Sequence, residues 1–366
     1  MKLFVQPGDS VMPIVHAINR AKKSVEILVF RLDRGEIEKA LASAVNRGVF
    51  VHALIAYTNR GGERNLRKLE MRLLSAGVTV ARTADDLARY HGKMLIIDRR
   101  ELYLLAFNFT YLDMEHSRSF GIMTTNAKLV QEAMKLFEAD AKRQAYTPSL
   151  PNFIVSPANS RKRLADYLRG AKKELLIYDP DLSDEAMIKI LEERLKAGVD
   201  IRIIGRVRSA VLPVHKMRTI RLHTRTIVRD GHQAFIGSQS LREVELGARR
   251  EIGIIFRDSK IVNQLISVFQ EDWAAAETAA AQRSEDETEP AIRVARKVAK
   301  AITKDLPPVA PVVEDVFKEL VGELTDAELD PKEVEETVKD AVKDAVREVV
   351  RDVVEDVVVQ NGNVRH

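Results

Sequence analysis

The run His91-Gly92-Lys93-Met94-Leu95-Ile96-Ile97-Asp98 decides how this chain is read, because it recurs as His223-Thr224-Arg225-Thr226-Ile227-Val228-Arg229-Asp230. In each copy a histidine and a cation stand two positions apart, ahead of an apolar run that closes on an aspartate. Side chains at i and i+2 of a strand share a face, so His91 and Lys93 should project together, as should His223 and Arg225. A polar segment follows each copy, Asn108 in the first and Gly237-Ser238-Gln239-Ser240 in the second. A strand with a Gly-Ile pair comes next, at Gly121-Ile122 and Gly253-Ile254.

Outward from these runs the chain repeats itself. Ala21-Lys22-Lys23-Ser24-Val25-Glu26-Ile27-Leu28-Val29 matches Ala171-Lys172-Lys173-Glu174-Leu175-Leu176-Ile177-Tyr178, each a charged helix end entering an apolar strand, 150 residues apart from position 21 to position 171. At the same offset Asn46-Arg47-Gly48-Val49 matches Lys196-Ala197-Gly198-Val199, where glycine closes a helix ahead of a second strand, Val51 to Ala56 or Ile201 to Gly205. Strand, helix, strand recurring twice predicts an α/β chain with a mixed or parallel sheet in each half. Glu63 to Leu74 is a helical stretch that the second half lacks. Helices near Asn126 to Ala141 and Ser259 to Ala275 close the halves, and Pro148 and Pro151 mark their join. The expected lobes are residues 1–147 and 152–276, with residues 277–366 as a linker and an amphipathic helical tail. Within the tail, Pro290 to Lys304 carries an apolar stripe beside Arg293, Arg296, Lys297 and Lys300, which suits either docking on its own lobe or peripheral contact with an anionic membrane. From Asp330 the sequence advances in tetrads such as Val338-Lys339-Asp340-Ala341, whose winding stripe suits wrapping or an oligomer.

Composition narrows the chemistry. The 366 residues, 45% of them hydrophobic, can bury a full core, and the lack of cysteine excludes disulfides, thiolate catalysis and Cys-ligated metals. Lys plus Arg exceed Asp plus Glu by only four, 58 against 54, so a basic surface must arise from local clustering. No apolar run approaches the roughly 20 residues that span a bilayer. A cytoplasmic protein is expected, with peripheral membrane contact through Pro290 to Lys304 as its route to a lipid.

The paired motifs resemble the phospholipase D signature, H-x-K, four residues, D, six residues, G-S-x-N. The first copy keeps His91, Lys93, Asp98 and Asn108 but has Leu105 and Ala106 in place of Gly-Ser. The second keeps His223, Asp230, Gly237 and Ser238 but has Arg225 for Lys and Ser240 for Asn. A lone His-x-Lys is ordinarily a surface strand end and a lone Gly-Ser a turn, so the pairing carries the weight. The resemblance covers residues 1 to about 276. It implies two lobes around one active site, with His91, Lys93, Asp98, His223, Arg225 and Asp230 as its catalytic set and Asn108, Ser238 and Ser240 binding substrate. It also implies transfer through phosphohistidine without metal or cofactor.

Phosphodiester cleavage needs an attacking group, a proton donor for the leaving oxygen and cations for the non-bridging oxygens. Two imidazoles with Lys93 and Arg225 supply that set. By resemblance the N-terminal histidine attacks, which assigns His91 as nucleophile and His223 to acid–base work, with a Glu-paired imidazole as the alternative nucleophile. Members of the family also orient the imidazole with a carboxylate on the following strand. Ser119 and Glu251 stand there, each 28 residues past its histidine (91 to 119, 223 to 251). Glu251 is therefore expected to hold His223, and Ser119 to orient His91. Asn108-Phe109-Thr110 and Ser117-Arg118-Ser119-Phe120-Gly121 resemble bacterial members grouped with phosphatidylserine and cardiolipin synthases, so a phospholipid is the expected substrate. A nucleic acid is the alternative, drawn from Arg206, Arg208, Lys216, Arg218 and Arg221 ahead of His223. A scaffold that keeps the fold without turnover is a third reading.

Overall fold

The computed structural model describes residues 1–58 and 62–286. Both predicted strand–helix–strand units are present. In the first half Ser24–Val29 runs parallel to Phe50–Ile55, joined by the helix Gly35–Asn46. In the second half Glu174–Leu182 runs parallel to Asp200–Val207, joined by Glu185–Lys196. Alternation explains why these strands sit mid-sheet. Val25, Ile27 and Val29 face a core shared with the outer helices, while Leu28 faces the opposite core.

The first sheet orders its strands as Lys2–Gln6, Ser117–Thr124, Glu101–Leu105, Met94–Ile97, Ser24–Val29, Phe50–Ile55 and Thr79–Arg82. The second follows the order Val214–His215, Asp200–Val207, Glu174–Leu182, Arg225–Arg229, Gln233–Gly237, Ile252–Phe256 and Phe153–Val155. Each is mixed, with the motif strand antiparallel to the first strand of its parallel pair. The inner faces of both sheets share one core with the helices Ala127–Ala141 and Ser259–Asp286, bringing Phe120, Ile122, Tyr178 and Ile252 together. The two His-containing motifs therefore come from two sheets that are packed as one body.

The closing helix, expected to end near Ala275 ahead of a linker, runs on to Asp286. Alanine, glutamate and glutamine between 274 and 286 are strong helix formers, and no glycine or proline interrupts them. The expected membrane-contact helix at Pro290 to Lys304 and the tetrads from Asp330 lie outside the described residues. Among the described residues no helix is long and apolar enough to cross a membrane.

Candidate active site

Two short crossed ladders bring the motifs together. Arg89–Tyr90 pairs in parallel with Arg249–Arg250, and the His91 amide donates to the Arg250 carbonyl at 2.7 Å. Arg221–Leu222 pairs in parallel with Ser117–Arg118, and the His223 amide donates to the Arg118 carbonyl at 3.0 Å. Each histidine is thus stitched to the strand of the opposite half. Gly92 leaves room for this, since a Cβ there would collide with the Ile252 side chain from the other sheet.

The crossing redirects Glu251. It was expected on His223, but its Oε2 lies 2.9 Å from His91 Nδ1. The other imidazole nitrogen, Nε2, lies 2.8 Å from Lys93 Nζ, as the i, i+2 spacing predicted. A carboxylate accepts only and an ammonium donates only, so His91 carries its proton on Nδ1 and turns the Nε2 lone pair toward Lys93. The ring also meets the edge of Phe30 at 4.5 Å between centroids. Burial, reinforced by Lys93 and Arg225, holds His91 well below the usual histidine range, so the ring is neutral. Burial likewise brings Lys93 down to about 7, opposed by Glu251. Burial pushes Glu251 up, opposed chiefly by Lys93.

His223 is held differently. Its Nδ1 lies 3.5 Å from Asp113 Oδ2, a longer contact than that of its counterpart. Ser119, expected to orient His91, stands at the position equivalent to Glu251. Its hydroxyl is buried without a hydrogen-bond partner among the described residues. Burial lowers His223 well below the usual range, with Asp113 opposing and Arg225 and Lys93 reinforcing. Both imidazoles respond to the same two cations, which places them in one electrostatic site, and each is 7% exposed. Burial pushes Asp113 up, but His223, the Asn108 amide and Arg221 together hold it below the usual aspartate range.

The substrate-binding candidates are partly committed within the protein. Asn108 Nδ2 donates to Asp113 at 2.7 Å, while its Oδ1 is buried with no partner among the described residues. Ser240 Oγ accepts from Arg225 Nε at 3.1 Å, and Arg225 Nη1 donates to the His223 carbonyl at 2.7 Å. Ser238 faces the backbone of Ile252, accepting its N–H at 3.1 Å.

Asp98 and Asp230 need correcting. Among the described residues neither carboxylate hydrogen-bonds to His91, Lys93, His223 or Arg225. Asp98 accepts the backbone N–H groups of Lys22, Lys23 and Ser24 at 2.6 to 3.1 Å. Asp230 does the same for Lys172, Lys173 and Glu174 at 2.7 to 3.2 Å. Both sit in hairpin turns with φ of 52° and 53°, a conformation that a short polar side chain tolerates. They anchor the first strand of each parallel pair, Ser24–Val29 or Glu174–Leu182, to the motif strand beside it.

Asp113 and Glu245 were missed as site residues. They share an offset of 22 from their histidines (91 to 113, 223 to 245), a signal as regular as the 28 that singled out Ser119 and Glu251. Each accepts the backbone N–H five residues earlier, Asn108 at 2.8 Å and Ser240 at 2.6 Å. Arg221, read as part of a nucleic-acid track, donates to Asp113 at 2.6 Å. Among the described residues no group of three or more His, Asp or Glu is placed to hold a metal ion.

The family described as "Cardiolipin synthase, PLD-like domain" matches residues 14–141 and 164–273, so each match holds one motif. The chain is 27% identical over 296 residues to a polyphosphate kinase of Prosthecochloris aestuarii, covering 71% of this chain and 41% of that protein. It is 27% identical over 225 residues to polyphosphate kinase 1 of Chlorobaculum tepidum, covering 56% and 32%. The chain thus spans less than half the length of these curated relatives. Among solved structures it resembles the polyphosphate kinase of Porphyromonas gingivalis, with TM-score 0.63, 18% identity and coverage of 74% and 46%. It also resembles the phosphatidylserine synthase of Haemophilus influenzae, with TM-score 0.55, 12% identity and coverage of 71% and 83%. At these identities the structural likeness concerns the fold.

Proposed function

Because the chain belongs to the cardiolipin synthase, PLD-like domain family, we propose that it transfers a phosphorus-centred group through a covalent intermediate on His91, as a phosphodiesterase or phosphotransferase. One observation carries the reading: Nε2 of a neutral His91 lies 2.8 Å from the Lys93 ammonium, while Nδ1 is tied to buried Glu251.

The chemistry follows from that geometry. A phosphate oxygen entering the site draws the Lys93 ammonium off Nε2 and frees the lone pair for attack. The new N–P bond forms as the bond from phosphorus to the leaving oxygen breaks, and that oxygen takes a proton from His223. Lys93 and Arg225 bind the non-bridging oxygens as charge shifts onto them. Glu251 stabilises the imidazolium that attack creates at His91. The anionic substrate adds negative charge beside His223, which with Asp113 favours its protonated form before the leaving oxygen departs. An acceptor hydroxyl or water then returns its proton to His223 as it attacks phosphorus, and the N–P bond breaks.

A phospholipid remains our reading of the substrate class, supported by the motif wording and by the family. A phosphoanhydride chain is the second reading, favoured by the relatives named polyphosphate kinase. The test is a panel of phosphatidylglycerol, cardiolipin, tripolyphosphate and single- and double-stranded DNA, run with wild type, His91→Ala and His223→Ala. Turnover of one substrate, lost in both variants, supports the proposal. Turnover of none rejects it in favour of a scaffold.

A further inference from the structure

The two halves are matched around the histidines and unmatched in one place. The helix Gly62–Ser75 belongs to the first half alone, and it is firmly docked: Leu66, Leu69 and Leu73 are 2%, 3% and 1% exposed. It borders a cleft of about 560 Å³ that is also lined by residues 31–33 and by Thr110, Leu112 and Asp113. Those two segments are laced together. The Phe109 amide donates to the Arg31 carbonyl at 3.2 Å, the Asp33 amide to the Phe109 carbonyl at 3.1 Å, and the Tyr111 amide to the Asp33 carboxylate at 2.8 Å.

These segments adjoin both imidazoles. Phe30, the neighbour of Arg31, packs on His91, and Asp113 lies against His223. Asp113 thus belongs to both the cleft and the surroundings of His223, and the cleft segment at Arg31 continues from the residue packed on His91.

Its charges are unevenly spent. Arg72 holds Glu38 through two bonds of 2.9 Å, and Arg34 nearby holds Glu115 at 2.9 Å. Among the described residues Arg31 and Lys68 have no ion-pair partner, and both line the cleft. Asp33 is capped by the Tyr111 amide, and Asp113 is neutralised by Arg221. Arg31 and Lys68 are two exposed cations lining one cleft in which Glu38 and Asp113 are held by arginines and Asp33 accepts a backbone amide, a setting that suits a phosphate group.

We propose that this cleft is a second anion subsite, in which Arg31 and Lys68 bind a phosphate of the substrate other than the one attacked at His91. The inference rests on the transfer reading above and sharpens it: the preferred substrate carries at least two phosphates, as a diphosphorylated lipid headgroup and a phosphoanhydride chain both do. The subsite also explains why only one half carries the inserted helix, since a single site needs one such wall.

The test separates binding from turnover. Affinity of the full chain for tripolyphosphate is measured by calorimetry, and retention on cardiolipin vesicles by sedimentation. Both are measured for wild type, for the double variant Arg31→Ala/Lys68→Ala and for the charge-keeping Arg31→Lys/Lys68→Arg. The alanine pair should lose about tenfold or more with at least one probe, and the charge-keeping pair should stay within about threefold of wild type. Loss on tripolyphosphate identifies a soluble phosphate chain, and loss on vesicles a lipid headgroup. Unchanged binding of both probes by the alanine pair overturns the subsite, as does equal loss in the charge-keeping pair. Absence of turnover on every substrate would reject the transfer reading while leaving this binding comparison intact.

Discussion

Glu251 Oε2 lies 2.9 Å from Nδ1 of His91, a partner 160 residues earlier in the chain and in the other half. The nucleophile that we assign to the first half is therefore oriented by the second. Neither half holds a complete site.

Replacing Glu251 by Gln keeps the shape of the side chain but removes the charge that stabilises a His91 imidazolium and lets either His91 tautomer form. The rate constant of the first chemical step should fall about 100-fold or more with a small change in KM, measured by single-turnover kinetics. Ser119→Ala should change that step by less than about threefold, since its hydroxyl bonds to nothing among the described residues.

Lys93 is brought down to about 7 by burial, and it clamps phosphate only when protonated. Activity should therefore fall as pH rises through the neutral range, on a limb that bound anionic substrate moves upward. Lys93→Arg keeps its charge at all these pH values. A pH–rate profile of that variant should lack the alkaline fall, whatever its absolute rate.

His91 and His223 are both neutral and buried in the fold, with values well below 6.5, the value they regain on unfolding. Below about pH 6.5 the unfolded chain takes up protons that the folded chain refuses, so their contribution to stability is complete above that pH and is lost on acidification. Asp140 and Asp179, raised by burial to about 6, act oppositely between their unfolded value and 6. A comparison of variants isolates the histidine effect: His91→Ala/His223→Ala should lose less stability than wild type between pH 7 and 5 in denaturant titrations.

Asp98→Ala tests the corrected role of the motif aspartate. It removes the acceptor for three backbone N–H groups and should cost about 2 kcal/mol in unfolding free energy. Activity per folded molecule should be retained below the melting transition, which separates an anchor from a group in the chemistry.

The residues themselves explain what was legible beforehand. His91 and Lys93 could be placed together because a two-residue spacing has one meaning in an extended chain, and the parallel pairs followed from strand–helix–strand order. The partner of Glu251 was not legible. An offset of 28 locates it on a strand, but whether that strand serves its own half or the other depends on crossed ladders that leave no local signal. Asp98 was misassigned for a related reason, because spacing marks a position without saying where its carboxylate turns. Asp113 and Glu245 were legible in principle through their common offset of 22 from the histidines (91 to 113, 223 to 245).

Rapid denaturation during turnover, followed by peptide mapping under alkaline conditions that preserve phosphoramidates, should find the substrate-derived phosphorus group on His91. The adduct should accumulate in His223→Ala and be absent from His91→Ala. Trapping of the group on His223, or steady turnover with the His91 side chain removed, would contradict the account.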